Sequence, residues 1–333
     1  MPRSSSFMVP AIRKSVILLG LAAFAVPAAT PLLRLERSLS AMGTTFTIAA
    51  YGPDRFVMES AIDEAFEETG RLEQLLSNYR PDSEWSQVNR EAAQRPVEVS
   101  EELFNLLQKC LQYSRESEGA FDITVGPLMK LWGFYKGQAR IPRRVEIRTI
   151  QSRIGYRNIQ LDPARRTVRF LRPVEMDPGG IGKGYAVDRM AEILVRRGFD
   201  SAIISAGRSS IYGIGAPPNE PRGWRITIPH PRDPRRHVAE YYLKNHSMST
   251  SGSTEKFFAV GRRTFSHIMD PRSGRPAEGM LQVSVLAPKT IDSEAWTKPY
   301  FVLGRQWAAR HKPAEFTVFL CEDRSEIACV SLP

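Results

Sequence analysis

Between residues 55 and 77 the apolar positions of "AIDEAFEETGRLEQLLS" recur at intervals of three and four, which predicts an amphipathic helix. The same spacing predicts a second helix over about 100 to 117, "EELFNLLQKCLQYSRE", opened by the capping sequence Ser100-Glu101-Glu102. A third starts at Tyr185 ("YAVDRMAEILVRRG") and stops at Gly198, and a fourth lies around "DSEAWTKPYFVLG". Elsewhere the period is two. "LERSLSAMGTTFTIAAYG" alternates through a turn at Met42-Gly43, and "NIQLD" and "TVRFL" read as short strands. After residue 200 strands dominate: "SAIISAG", "SIYGIGA", "WRITIPH", "EYYLKNHSMSTSG", "TFSHIMDP" and "LQVSVLAP". The polar stretch "YRPDSEWSQVNR" reads as a loop, residues 136 to 150 as a linker, and "GAFDITVGPLMKLWGFYK" as irregular. Strands and helices without βαβ regularity or an internal repeat predict an α+β fold.

The first thirty residues stand apart. Arg3, Arg13 and Lys14 precede the apolar run "SVILLGLAAFAVPAA", which ends in small residues, the layout of a signal peptide over residues 1–29. The run is short for a spanning helix of about 20 residues, although an uncut membrane anchor is the alternative. Residues 30–333 then form one domain, exported to the periplasm or tethered to the inner membrane. Export fits the sparse cysteines. A hairpin turning near Asp323 to Ser325 brings Cys321 opposite Cys329, where a disulfide can form, while Cys110 falls in a helical pattern as an apolar filler. The net charge of +10 favours anionic partners. The arginines are scattered in pairs with no interleaved aromatic run, which argues against nucleic acid.

The chemistry concentrates in "DPGGIGKGYAVD", residues 177 to 188. It resembles a phosphate loop yet fits neither usual template. A P-loop ending at Gly182-Lys183 needs a glycine where Asp177 stands and Ser or Thr where Gly184 stands. The dinucleotide fingerprint fails because Tyr185 follows where its third glycine belongs. The stretch nevertheless opens a helix, where backbone N–H groups and the dipole favour an anion. Three other signals have two readings each. His267 in "SHIMDPRSGRP" is a structural histidine or a base. Tyr79 in "SNYRPDSE" is a surface aromatic or a ligand ring. Asp122 in "GAFD" is a helix cap or a site carboxylate.

In order, "AMGTTFTI", "SNYRPDSEWSQVN", "GAFDITVGPLMKLWGF", "DPGGIGKGYAVD", "STSG", "FSHIMDPRSGRP" and "YFVLG" resemble the ApbE family of FAD:protein FMN transferases, over roughly residues 35 to 310. The resemblance implies a T-fold-like, two-lobed mixed α/β unit with a mainly antiparallel sheet and a flavin cleft. It places Met42, Tyr79, Ala120, Phe121, Asp122, Asp177, Lys183 and Ile268 on FAD-contacting positions, with Tyr79 lying against the isoalloxazine. It makes His267 the base for a Thr or Ser hydroxyl on an acceptor redox protein, a role suited to a group that titrates near neutral pH. It also implies Mg²⁺, held by the Gly180 carbonyl and by the residue at 294.

Two segments depart from the family pattern. "SAGRSSI" carries Arg208 at the second glycine of an N-x-G-G-D-like stretch. "SEAWTKPYFVLG" has Glu294 where the family has a liganding aspartate and Lys298 where it has a liganding threonine. Four residues apart on a helix, these two are expected to pair. Asp292 lies roughly 200° away around the helix. The readings left open are a transferase, an FAD-binding protein that does not transfer, and an FAD pyrophosphatase.

Overall fold

The computed structural model describes residues 32–333 apart from 136–138, 254–256 and 261–262, so the expected signal peptide and its boundary lie outside the described residues. The chain opens with strands β1 (Leu33–Ala41) and β2 (Thr44–Gly52), joined through Met42 (φ 50°) and Gly43 (φ 70°). Two consecutive positive φ values give a turn whose twist matches the strands it joins. Helices α1 (Arg55–Leu76) and α2 (Glu84–Glu91), the short β3 (Val97–Glu98) and helix α3 (Glu101–Glu116) follow. Next come α4 (Gly126–Leu131), α5 (Arg144–Gln151), β4 (Ile159–Asp162), β5 (Thr167–Phe170) and α6 (Gly182–Arg196).

The second half adds β6 (Ser201–Ala206), β7 (Ser210–Gly215), β8 (Trp224–His230), β9 (Asp233–Leu243) and β10 (His246–Gly252). Short strands β11 (Phe257–Val260), β12 (Arg263–Ser266), β13 (Met269–Asp270) and β14 (Arg275–Pro276) precede β15 (Met280–Ala287). Helix α7 (Thr290–His311) and the hairpin β16 (Thr317–Glu322) and β17 (Ala328–Leu332) end the chain.

Eight strands form one antiparallel sheet in the order β1-β2-β6-β7-β10-β15-β16-β17. Alternation along each strand sorts residues to its two faces. Phe46, Ile48 and Ala50 of β2 join Ala202, Ile204 and Ala206 of β6 in the main core, with apolar residues of α1, α6 and α7. Trp224, Ile228 and Leu243 of the β8–β9 ribbon cover Met248, Leu286 and Phe319 on the other face. Strand β15, covered on both faces, is buried at every position, its polar Gln282 and Ser284 included, with the Ser284 hydroxyl paired to that of Thr250. Cys321 and Cys329 stand opposite each other in register and are bridged, as the hairpin spacing suggested.

Four expectations are corrected. The loop reading of "YRPDSEWSQVNR" gives way to α2, capped where Ser83 Oγ accepts from the Ser86 N–H, with only Trp85, Ser86 and Val88 buried. Within the expected linker lies α5, started by the Arg143 N–H donating to Glu146 (2.7 Å) and burying only Ile147. "EYYLKNHSMSTSG" is two strands in two sheets, parted at Asn245, whose φ is 52°. The last helix extends beyond its expected span and breaks at Gly304 (φ 79°) before resuming.

Candidate active site

A cleft of about 1680 Å³ opens along the sheet face that carries Thr47, Ile203 and Thr250. It exceeds the roughly 300–1,000 Å³ of a drug-sized ligand pocket. Every residue expected at the site lines it: Met42, Tyr79, Ala120, Phe121, Asp122, Asp177, Gly180, Lys183, His267, Ile268 and Glu294. Arg208, at the β6–β7 turn, and Lys298 line it too.

The glycine-rich turn is fixed from three sides. On its N-terminal side, Trp85 Nε1 (3.1 Å) and Asn89 Nδ2 (2.9 Å) of α2 both donate to the Met176 carbonyl. The Asp177 N–H donates to the Ile123 carbonyl (2.6 Å), tying the turn to the "GAFD" segment. The Asp177 carboxylate then accepts from the Gly179 N–H (2.6 Å), from Asn78 Nδ2 (3.2 Å) and from the Tyr135 hydroxyl. None of Gly179, Gly180, Gly182 and Gly184 has positive φ, so these glycines serve close approach. A Cβ on Gly182 would stand 3.2 Å from Met42 Cε; one on Gly184 would stand 2.6 Å from the Thr290 carbonyl oxygen of α7.

The flavin-side residues differ in what their side chains do. Met42 sits at the β1–β2 turn, its N–H donating to Glu73 of α1 (2.7 Å). Tyr79 is 79% exposed and meets Tyr135 edge-to-face at 6.3 Å, leaving a ring face open at the cleft mouth. Ala120 and Phe121 are buried, Phe121 edge-on to Tyr113 (5.7 Å). Asp122 has a framework role. Its carboxylate accepts from the Thr124 N–H (2.8 Å), the Thr124 hydroxyl (2.7 Å) and the Tyr156 N–H (2.8 Å). Burial raises its pKa against those hydrogen bonds. Both Asp122 oxygens thus serve the fold, while the residue also lines the cleft. His267 sits half-buried between β12 and β13. Next to it, buried Ile268 donates its N–H to Ser266 (3.3 Å), and its carbonyl accepts from the Ala277 N–H (2.8 Å).

The charged centre of the cleft is Lys183, Glu294 and Lys298. Helices α6 and α7 are clamped where Asp188 accepts from the Thr290 (2.7 Å) and Ile291 (2.8 Å) N–H groups. Across that contact Glu294, only 2% exposed, meets Lys183 Nζ at 3.0 Å and accepts from the Gly184 N–H. Lys298 Nζ donates to the Glu294 backbone carbonyl (2.8 Å), and its charge acts on the Glu294 carboxylate alongside that of Lys183. Burial pushes the Glu294 pKa up, but the Lys183 and Lys298 charges outweigh it and hold the carboxyl below its usual value. Asp292 accepts from the Tyr113 hydroxyl and pairs with Lys109 (3.2 Å), so it is engaged with α3.

This donor set does not fit Mg²⁺, which demands near-octahedral oxygens at about 2.0–2.1 Å. The Glu294 oxygens are held by an ammonium and an amide N–H, and its carbonyl by a second ammonium. The stem of Lys298 also flanks Gly180, its Cε 3.6 Å from where a Cβ would stand. Neither Glu294 carboxylate oxygen is left to a metal in this arrangement. No group of three or more His, Cys, Asp or Glu side chains suited to a metal occurs among the described residues. Sequence reasoning missed Tyr135 and Asn78, which steady Asp177; Tyr135 sits in an aromatic, irregular stretch where only its neighbourhood with Tyr79 would have marked it.

Comparison with known proteins agrees with this geometry. The chain is 31% identical over 247 residues to the FAD:protein FMN transferase of Escherichia coli K12, covering 71% of this chain and 69% of that one. The FAD:protein FMN transferase of Salmonella typhimurium LT2 is 32% identical over 242 residues, covering 70% and 68%. Among solved structures, the ApbE protein of Thermotoga maritima superposes with a TM-score of 0.80 at 27% identity, over 89% of this chain and 96% of that one. The flavinyl transferase ApbE of Pseudomonas stutzeri gives 0.79 at 26%, over 90% and 95%. The ApbE family model matches residues 42–318, from Met42 at the cleft to Val318 in β16; it spans every residue of the site, and the chain belongs to the ApbE family.

Proposed function

We propose that this protein is an FAD:protein FMN transferase that modifies a Thr or Ser hydroxyl of an exported or membrane-bound redox protein. The observation that carries the reading is the placement of His267 and the Lys183 end of α6 in one cleft roomy enough for a dinucleotide and an incoming segment. The acceptor hydroxyl attacks the FMN-side phosphorus of FAD. A new P–O bond forms to the acceptor, the bridging P–O bond breaks, and AMP leaves with the bridging oxygen. The hydroxyl proton passes to His267. Phosphoryl transfer of this kind depends on positioning and charge neutralisation. Lys183 supplies charge at the start of α6, whose first-turn Gly184 N–H is already held by Glu294. The apolar run near the N-terminus supports export to the periplasm, cleaved or as an anchor. No described helix is long and apolar enough to cross a membrane.

The test is incubation with FAD and a periplasmic redox protein carrying a Thr or Ser flavinylation site, read by in-gel flavin fluorescence and AMP release. A fluorescent acceptor band is expected. His267→Ala should keep FAD affinity while slowing transfer by about 10²–10⁴, the usual size of general-base catalysis. AMP release with no acceptor band would mean an FAD pyrophosphatase, and FAD binding with neither product a non-transferring binder.

A further inference from the structure

We infer that Lys298 does the work of a divalent cation in this protein, so that the FAD pyrophosphate is bound and its departing charge stabilised by fixed ammoniums. The inference rests on the flavin-transfer reading and concerns the same cleft. Three observations carry it. First, the one buried carboxylate at the charged centre is already neutralised: Glu294 holds Lys183 at 3.0 Å. Second, Lys298 is held in place, its Nζ on the Glu294 carbonyl (2.8 Å) and its stem beside Gly180. A lysine fixed at both ends loses less side-chain freedom on meeting an anion than one waving in solvent. Third, the charges of Lys183 and Lys298 both bear on Glu294, each ammonium lying on one of its oxygens. A dication entering there meets two like charges and no uncommitted Glu294 oxygen, whereas a pyrophosphate meets two ammonium donors.

The exchange has a chemical consequence. An ammonium is a compact charge with three donors and no Lewis acidity. It holds non-bridging phosphate oxygens through hydrogen bonds, and it can accompany the leaving AMP phosphate without changing its coordination. Gly180, where a Cβ would stand 3.6 Å from Lys298 Cε, is then part of the wall of the site.

Two measurements test this on the whole protein. The first compares FAD affinity, by flavin fluorescence quenching, in EDTA and in Mg²⁺, with Mn²⁺ binding followed by electron paramagnetic resonance. Equal FAD affinity and no bound Mn²⁺ are expected. The second compares FAD with riboflavin, which lacks the pyrophosphate. Lys298→Met should weaken FAD about 10- to 100-fold, the size of one charge-assisted hydrogen bond, and leave riboflavin unchanged. Lys298→Thr with Glu294→Asp should create Mg²⁺-dependent FAD binding. Stronger FAD binding by the parent with Mg²⁺, or parent-like FAD affinity in Lys298→Met, would overturn the inference. Equal loss of FAD and riboflavin would also overturn it, because the lysine would then be structural. Failure to flavinylate any acceptor would sink the proposed transfer while leaving these binding results to decide the role of Lys298.

Discussion

Replacing Gly184 with alanine tests the helix contact on which the charged centre depends. On propensity alone, Gly→Ala within α6 should stabilise by about 1 kcal/mol. The geometry reverses the sign. An alanine Cβ would lie 2.6 Å from the Thr290 carbonyl oxygen and 2.9 Å from Glu294 Oε2. The oxygen at 2.6 Å is backbone, in the first turn of α7, so a helix has to move. Overpacking of this kind costs about 1–3 kcal/mol. Loosening the Gly184 N–H bond to the Glu294 carboxylate adds about 1.5–3 kcal/mol. After the propensity gain, the net loss is about 1.5–5 kcal/mol. At about 2 °C per kcal/mol for a chain of this size, Tm should fall by roughly 3–10 °C. Gly182→Ala is the control. Its Cβ would meet the flexible end of Met42 at 3.2 Å, so Tm should hold while FAD affinity falls as Met42 is pushed into the cleft. Scanning calorimetry and FAD titration of both variants provide the readouts. A Gly184→Ala protein with raised Tm would refute the close-contact argument.

Tyr79→Ala should leave stability unchanged, the ring being exposed, and weaken FAD about tenfold or more if stacking contributes about 1–3 kcal/mol. An unchanged titration would remove Tyr79 from the site. Asp122→Ala should cost about 2–4 kcal/mol in urea unfolding, because three buried donors lose their acceptor, while the folded fraction keeps FAD affinity within about tenfold. A large affinity loss at parental stability would restore a direct contact. Replacing both Cys321 and Cys329 with alanine should destabilise by up to about 2–3 kcal/mol, as a crosslink across eight residues predicts, with FAD affinity intact since neither lines the cleft. A changed FAD affinity would contradict that separation.

Sequence showed most where one residue's own neighbours decide its structure. The β1–β2 hairpin, α1, α3 and α6 follow from period and punctuation, and the bridged terminal hairpin follows from spacing. Short elements were hidden: α2 and α5 bury so few side chains that no period emerges in eight residues. At the site, family resemblance brought the right residues to one cleft but did not separate ligand from framework. Asp122 illustrates why, since a carboxylate that caps a turn and one that meets a ligand look alike in one dimension. Glu294 illustrates a second limit. Local helix geometry pointed to Lys298, yet the partner came from α6, over a hundred residues earlier, through a crossing allowed by Gly184 having no side chain.

The order of the main sheet has a consequence for how the protein reaches its shape. Strand β2 pairs with β6, Phe46 opposite Ala206, so the second ladder of the sheet closes only after some 150 intervening residues are present. The first and last strands, β1 and β17, form its two outer edges. Pairings this distant are slow to form because the loop must close before any contact rewards it. Until then β2 presents an unpaired edge to other chains. The sheet therefore assembles late, from a nearly finished polypeptide. That lengthens the interval during which β2 and β6 have to be kept from the wrong neighbours.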